Sequence, residues 1–361
     1  MYNRNKKSTQ RLAARTLHSL MQMIVITIIA MAYSSCSSVS ILEPEEDCER
    51  DYYLQFVYDM NMDFADAFNS KIESLQLYIF DARTGDLVST FHDSGDALKE
   101  KGYKVKLELE PGRYEFRAWF GLEDNDEDFK LDTRAGKFRD TECSLQREYT
   151  EEGKAVQNKE LHALYHGALD ATLPDDYNDH YYKMPLTKDT NNINLSIQEI
   201  SGKTLDPERF TIKMEIDNGK MDFDNSVLED EPIEYTPYRQ VSGGVTVDDT
   251  RAENESGNDI VLSELSTSRL LAEHNPVIEV IDNEKGETIY AIPLVKWALM
   301  LRSQKYAYMG EQEYLDREDE FNIILYINQD PEQKDEDFFL AVSVMINGWR
   351  IVLNDNVGLG Q

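Results

Sequence analysis

Ile79-Phe80-Asp81-Ala82-Arg83-Thr84-Gly85-Asp86-Leu87-Val88 aligns without a gap onto Val280-Ile281-Asp282-Asn283-Glu284-Lys285-Gly286-Glu287-Thr288-Ile289, 201 residues further on. Each copy is the end of an apolar run, an Asp that caps a turn through its side chain, a Gly where positive φ is wanted, and a returning run. One such unit is any hairpin. The same unit in both halves predicts two similar β-sandwich domains. On either side of it lie runs that alternate or are rich in β-branched and aromatic residues: YYLQFVYD (52–59), LQLYIF (75–80), YKVKLELE (103–110), RYEFRAWF (113–120) and a short strand at 181–184. Glu110-Pro111-Gly112-Arg113 is a hairpin turn. In the second half, strands are expected at 192–200, 210–216, 276–281, 320–327, 338–346 and 349–353, the last two joined by Asn347-Gly348, a strong two-residue hairpin signal. Helical period is confined to 65–70, 294–301 and 311–318. Segments 121–136 and 222–259 are acidic, dotted with Gly or Pro and poor in apolar residues, so they read as long loops. The fold class is mostly β with short helices.

The charge balance narrows function. Against 37 Lys and Arg stand 69 Asp and Glu among 361 residues, and a net charge of -32 repels a phosphate backbone, which excludes general binding to nucleic acid. At roughly 150 residues per domain the length predicts two domains. No G-x-S-x-G, H-E-x-x-H, C-x-x-C, P-loop or G-x-G-x-x-G motif is present, so no enzyme activity, cofactor or metal is expected. His162 and His166 would share a face on a helix, but Leu161-His162-Ala163-Leu164-Tyr165-His166 reads equally as a strand. Asp124, Asp126 and Asp128 imitate the start of a calcium loop, yet Phe129 stands where the turn requires Gly and Ala135 where the bidentate Glu belongs.

Residues 1–35 are of a different kind. Arg4, Lys6, Lys7, Arg11 and Arg15 form a basic start without acids, and residues 23–33 (MIVITIIAMAY) are apolar but about half the length that spans a bilayer. Tyr33-Ser34-Ser35-Cys36 then resembles a bacterial lipoprotein signal, in which the Cys after two small residues is acylated and becomes the new amino terminus. Tyr33 departs from the aliphatic residue usual there. The expected organisation is a signal peptide at 1–35, a tether at 36–47, an N-terminal sandwich domain at 48–187 and a C-terminal one at 188–361. Removal of the signal leaves 32 basic and 69 acidic residues, a net -37. So acidic a body is not held to an anionic leaflet by charge, and attachment would rest on the lipid at Cys36. Cys48 and Cys143 remain as a candidate disulfide, with two buried thiols as the other reading.

The chain as a whole carries a resemblance. Leu54-Gln55-Phe56-Val57-Tyr58-Asp59-Met60-Asn61-Met62 after Cys48, Leu77-Tyr78-Ile79-Phe80-Asp81, Glu110-Pro111-Gly112-Arg113-Tyr114, Ala118-Trp119, Ser266-Thr267-Ser268-Arg269-Leu270, Gln312-Glu313-Tyr314-Leu315-Asp316-Arg317-Glu318 and Ile346-Asn347-Gly348-Trp349 resemble, in order, the FimB-type fimbrium-anchoring lipoproteins of Bacteroidales. The resemblance implies two tandem transthyretin-like (Greek-key) β-sandwich domains and a non-enzymatic, palmitate-bearing lipoprotein of the cell outer membrane and fimbrium. It further implies that fimbrial shaft subunits are its partners and that they are joined by strand addition. Only 11 residues separate Cys36 from Cys48, so no removable strand precedes Tyr52, which fits a subunit that keeps its lipid and closes its own first domain. Trp349, Ile351 and Leu353 then form the candidate shaft-contact strand, the other reading being a hairpin that closes its own sandwich. The rival functions are an accessory or tip subunit, and an outer-membrane lipoprotein that presents Tyr165, Tyr177, Tyr181 and Tyr182 to a glycan or host surface.

Overall fold

Tyr52, Leu54 and Phe56 are buried while Tyr53, Gln55 and Val57 are half-exposed, and this two-residue period makes residues 52–57 a strand with one face in a core. The computed structural model describes residues 50–122, 128–133, 138–199, 203–243, 260–327, 344–346 and 349–351. The first half holds β1 (Tyr52–Val57), α1 (Phe68–Lys71), β2 (Ser74–Asp81), β3 (Leu87–Ser94), β4 (Lys104–Leu107), β5 (Gly112–Phe120), β6 (Phe129–Thr133), β7 (Thr141–Leu145), β8 (Glu148–Tyr149), β9 (Ala155–Gln157), β10 (Tyr165–Leu173) and β11 (His180–Lys188). The second begins with β12 (Thr190–Glu199), β13 (Phe210–Ile216), β14 (Lys220–Asp222), β15 (Ile233–Tyr235), β16 (Arg239–Gly243) and β17 (Ile260–Ser268). It continues with β18 (Val277–Asp282), β19 (Glu287–Pro293), α2 (Leu294–Lys305), α3 (Glu311–Arg317), β20 (Glu320–Ile327), β21 (Val344–Ile346) and β22 (Trp349–Ile351).

Two sandwiches of the transthyretin-like, Greek-key class result. In the first, the order is β3-β2-β5-β10-β11-β1-β4, with β10 hydrogen-bonded to β11 so that the two layers β3-β2-β5-β10 and β11-β1-β4 are continuous; in the second, β17-β12-β20 and β15-β13-β18-β19 belong to separate sheets. The sense of pairing matches strand for strand. β1 runs parallel to β11 as β12 does to β20. The remaining matched pairs are antiparallel. One core gathers Leu54, Phe56, Leu77, Phe116, Phe120 and Met184; the other gathers Ile193, Leu195, Ile212, Val280, Phe321 and Leu325.

The gapless repeat is real at the level of hydrogen bonds. Asp81 Oδ1 accepts from the amides of Arg83 and Thr84 at 2.8 and 3.0 Å, and Gly85, at φ +76, donates to the Asp81 carbonyl. Asp282 Oδ1 accepts from Glu284, and Gly286, at φ +71, donates to the Asp282 carbonyl. The two hairpins are nevertheless not equivalent in the fold. β2–β3 matches β13–β15, whereas β18–β19 matches β5–β10, so the repeat records a shared turn and not an aligned domain. Two halves with one topology were the correct inference from a local coincidence.

The segments read as loops contain β6, β15 and β16, and further short strands lie beside them. β6 and β7 make a three-stranded sheet with β14, and β8 and β9 extend the second sandwich, with β9 parallel to β15. The chain between β5 and β10 therefore completes sheets of the other half. These strands run three to five residues in β6, β7, β9, β14 and β15, and two in β8, too short to show a period.

The two turns differ in burial, and this sets an expected contrast. The Asp282 side chain is fully buried and paired with Arg209 at 2.7 Å, so Asp282→Ala leaves a guanidinium without its partner and costs about 3 kcal/mol or more. The Asp81 side chain makes only turn hydrogen bonds among the described residues, and Asp81→Ala costs less than Asp282→Ala. Urea unfolding of the two variants checks the order; equal losses would contradict it.

Candidate subunit-contact site

The alternation of β5 predicts Arg117 and Trp119 on an outer, solvated face, but both are buried, at 7% and 1% exposure. The cause is the second half, whose residues 222–225 cover the β5–β10 pair. Arg117 Nε donates to Asp224 at 2.7 Å and Nη1 to Asp170 at 2.9 Å. Trp119 packs edge-on against His166, its register partner on β10, with ring centroids 4.6 Å apart. Burial pushes the His166 imidazole down to about 3, so the ring is neutral and its Nε2 donates to the Phe223 carbonyl at 2.9 Å.

The rest of the joint comes from the segments that carried the family resemblance. Arg269, just beyond β17, donates through Nε and Nη2 to both carboxylate oxygens of Asp316 on α3, each at 2.9 Å, a bidentate pair. Its Nη1 donates to the Asn225 carbonyl at 2.6 Å. Gln312, one turn earlier on α3, donates to Asp316 and to the Leu270 carbonyl and accepts from the Ala272 amide. Arg317 reaches the first half, donating to the carbonyls of Asp59 and Asn61 and lying 4.7 Å over the Phe64 ring. Lys188, at the end of β11, is ion-paired with Asp319.

Asp189, between β11 and β12, lies at the centre. Its side chain is fully buried; Oδ1 accepts from Asn225 Nδ2 at 2.8 Å and stands 3.9 Å from Arg269 Nε, while Oδ2 has no hydrogen-bond partner among the described residues. Burial pushes this carboxyl up to about 7, against the pull of Arg269. An acid in a polar connection gave no sign of this in the sequence, and neither did the pairing of Arg269 with Asp316, 47 residues apart.

β22 lies at the end of a sheet. The second sandwich's sheet runs β16-β17-β12-β20-β21-β22, so β22 is terminal and, among the described residues, is paired on one side only. Trp349 pairs with Ile346, Arg350 with Met345 and Ile351 with Val344. A terminal strand presents a row of unpaired backbone donors and acceptors. Trp349 and Ile351 thus sit on a sheet edge; Leu353 lies outside the described residues, as do Cys36, Cys48 and the Asn347-Gly348 turn. Cys143 is buried on β7, opposite Met221 and Leu131.

Two other constellations come apart. His166 is in the core, while His162 is exposed and holds Asp128 through Nδ1 at 2.7 Å, so the two histidines do not converge and Asp128 is engaged. Among the described residues no group of three or more His, Cys, Asp or Glu is placed to hold a metal. Of the four tyrosines, Tyr165 is buried in the first core and belongs to no surface, Tyr182 is half-buried, and Tyr177 and Tyr181 are exposed. Among the described residues no helix is long and apolar enough to cross a membrane.

A pair of matched Greek-key sandwiches of this topology is the fold of a class of fimbrial and adhesin-like β proteins. The chain belongs to the family of fimbrillin-A associated anchor proteins Mfa1 and Mfa2, whose model matches residues 44–355. A candidate adhesin of Bacteroides thetaiotaomicron is 32% identical, with 84% of this chain and 97% of that one covered and a TM-score of 0.70. A candidate polysaccharide-binding protein of the same species is 24% identical, with 85% and 99% covered and a TM-score of 0.69. The fimbrial anchor protein Mfa2 of Porphyromonas gingivalis shares the fold at 19% identity, with 84% and 99% covered and a TM-score of 0.60. No curated protein matches by sequence. These relatives are described by fimbrial, adhesive and polysaccharide-binding roles.

The joint carries a pH dependence whose sign is fixed. The unfolded Asp189 carboxyl loses its proton near its ordinary value of 3.8, while the folded one keeps it up to about 7. The folded state therefore binds the extra proton between these values. Stability from this group is fully present below about pH 4 and is lost as pH rises to about 7, by up to about 1.4 kcal/mol per unit. Asp189→Asn keeps the acceptor for Asn225 and carries no charge. Its stability, measured by urea unfolding from pH 4.5 to 8, is expected to fall less steeply than that of wild type; parallel curves would show that Asp189 is ionised throughout.

Proposed function

We propose that this protein is the lipid-tethered base of a fimbrium, acylated at Cys36 and fixed to the outer membrane, and that it joins the first shaft subunit by strand addition and limits fibre length. The observation that carries the proposal is the contrast between β1 and β22. β1 is held between β4 and β11 with Tyr52, Leu54 and Phe56 in the core, so the first sandwich is closed by its own amino-terminal strand. β22 ends a sheet with one backbone edge open, the geometry that strand addition uses. The N-terminal domain (48–187) would then face the membrane, and the C-terminal domain (188–361) the shaft.

The tether supports this reading. From Cys36 to Cys48 there are 12 residue steps, a reach of at most about 40 Å at ~3.5 Å each. An anchored body stays close to the bilayer, where a growing fibre begins. The accessory or tip role has no separate observation in its favour.

Deleting the gene in its own bacterium is expected to move shaft antigen from washed cells to the medium, on longer or more abundant fibres. Wild type should restore attachment and Cys36→Ala should not; fibres unchanged in amount and attachment would discard the anchor role. Removal of residues 349–361 is expected to abolish shaft attachment while leaving the thermal midpoint of the body within a few degrees. Retained attachment in that stably folded protein would remove the strand-addition role of β22.

A further inference from the structure

The outward face of β4, β1 and β11 departs from the charge of the whole molecule. Register places Lys106, Tyr53 and Tyr181 side by side in one row, and Lys104, Gln55 and Lys183 in the next. No acid stands within these two rows, although the chain carries a net -32. Asp51 borders them and takes Lys106 at 2.7 Å and the Tyr53 hydroxyl at 2.9 Å. Lys104 and Lys183 have no carboxylate at ion-pair distance among the described residues, and both are exposed. The Tyr53 and Tyr181 rings stack at 5.0 Å, and the Lys104 ammonium rests on them, 3.9 Å from one centroid and 4.8 Å from the other. β4 is the last strand of its sheet, so the face is open along that side.

We propose that this face binds an acidic polysaccharide, one whose sugars bear carboxylates. The cations Lys104 and Lys183 lie two strands apart, about 10 Å, with the Gln55 amide between them and the tyrosine hydroxyls beside them. That spacing suits a hydrated chain with recurring carboxylates and hydroxyls laid across the strands. The only apolar element of the face is the Tyr53–Tyr181 stack, and the Lys104 ammonium sits on it, so a partner there meets cations and hydroxyls rather than the desolvated apolar centre of a protein interface. The body's long-range repulsion of a polyanion is screened beyond about 8 Å at 0.15 M salt, while pairing at contact persists. The inference is independent of the anchor role.

The test is binding of the full mature chain to immobilised alginate at 0.15 M salt, with neutral dextran alongside and phosphatidylglycerol vesicles as a second anionic surface. Alginate binding is expected, with none to dextran. It should weaken about tenfold or more in Lys104→Glu/Lys183→Glu and stay unchanged in Lys296→Glu, a charge reversal at another exposed lysine. Lys104→Gln/Lys183→Gln, which adds no negative charge, should show an intermediate loss and guards against misfolding of the first variant. No binding to alginate, equal binding by all variants, or binding to the vesicles alone would each overturn the assignment, the last by giving the face to a membrane.

Discussion

Arg269 ties together the two parts of the second half that reach the first sandwich, the 222–225 segment that covers β5 and β10 and the helix α3 that carries Arg317. Its guanidinium spends all three nitrogens on partners from different parts of the chain: Asp316 on α3 and the backbone of Asn225 on the segment that covers β5 and β10. An arginine serves here where a lysine would not, because the planar fork meets a carboxylate with two bonds while a third direction stays available. A buried ion pair of this kind adds little net stability over an apolar contact, but it is strongly directional and tolerates one arrangement. Asp189 makes the same region demanding, since its own carboxylate oxygen Oδ2 is left without a donor. The joint therefore trades stability for a defined geometry between the halves.

Most of the secondary structure was legible in the sequence because long strands with one buried face carry their period openly. β1, β2, β5, β12, β13, β18 and β20 fall within the runs read as strands, give or take a few residues at their ends, and α2 and α3 begin where helical period was read. What escaped includes β16 and β17, which pair within their own sandwich, and the strands that depend on the other half. β7, β9, β14 and β15 are short strands paired across the molecule, with β6 joined to them through β7, and a strand of three residues such as Ile233–Tyr235 has no period to detect. Arg117 and Trp119 alternate correctly with Phe116 and Ala118, yet their outer face is covered, which only a tertiary neighbour decides.

The candidate site divided in the same way. Trp349 and Ile351 were placed on a hairpin strand by Asn347-Gly348 chemistry, and β21 and β22 are paired antiparallel. The segments around Arg269 and Gln312 stood out only as a family pattern; read physically, the second was a short amphipathic helix and the first carried no assignment. Their connection required the fold, because side chains 47 residues apart meet only after the sheet between them has formed.

The strands β6 to β9 are inserted between β5 and β10 of the first sandwich but complete sheets of the second. During synthesis the amino-terminal half emerges first, and β6–β7 and β8–β9 then pair only with each other until β14 and β15, more than 60 residues downstream, have followed. The first sandwich must form around an unfinished excursion, which delays closure and exposes strand edges while the chain is still being delivered. For the same reason the halves are not interchangeable modules. A recombination event that swaps one sandwich for that of a relative carries away part of its neighbour's sheet, so the pair is expected to be inherited together.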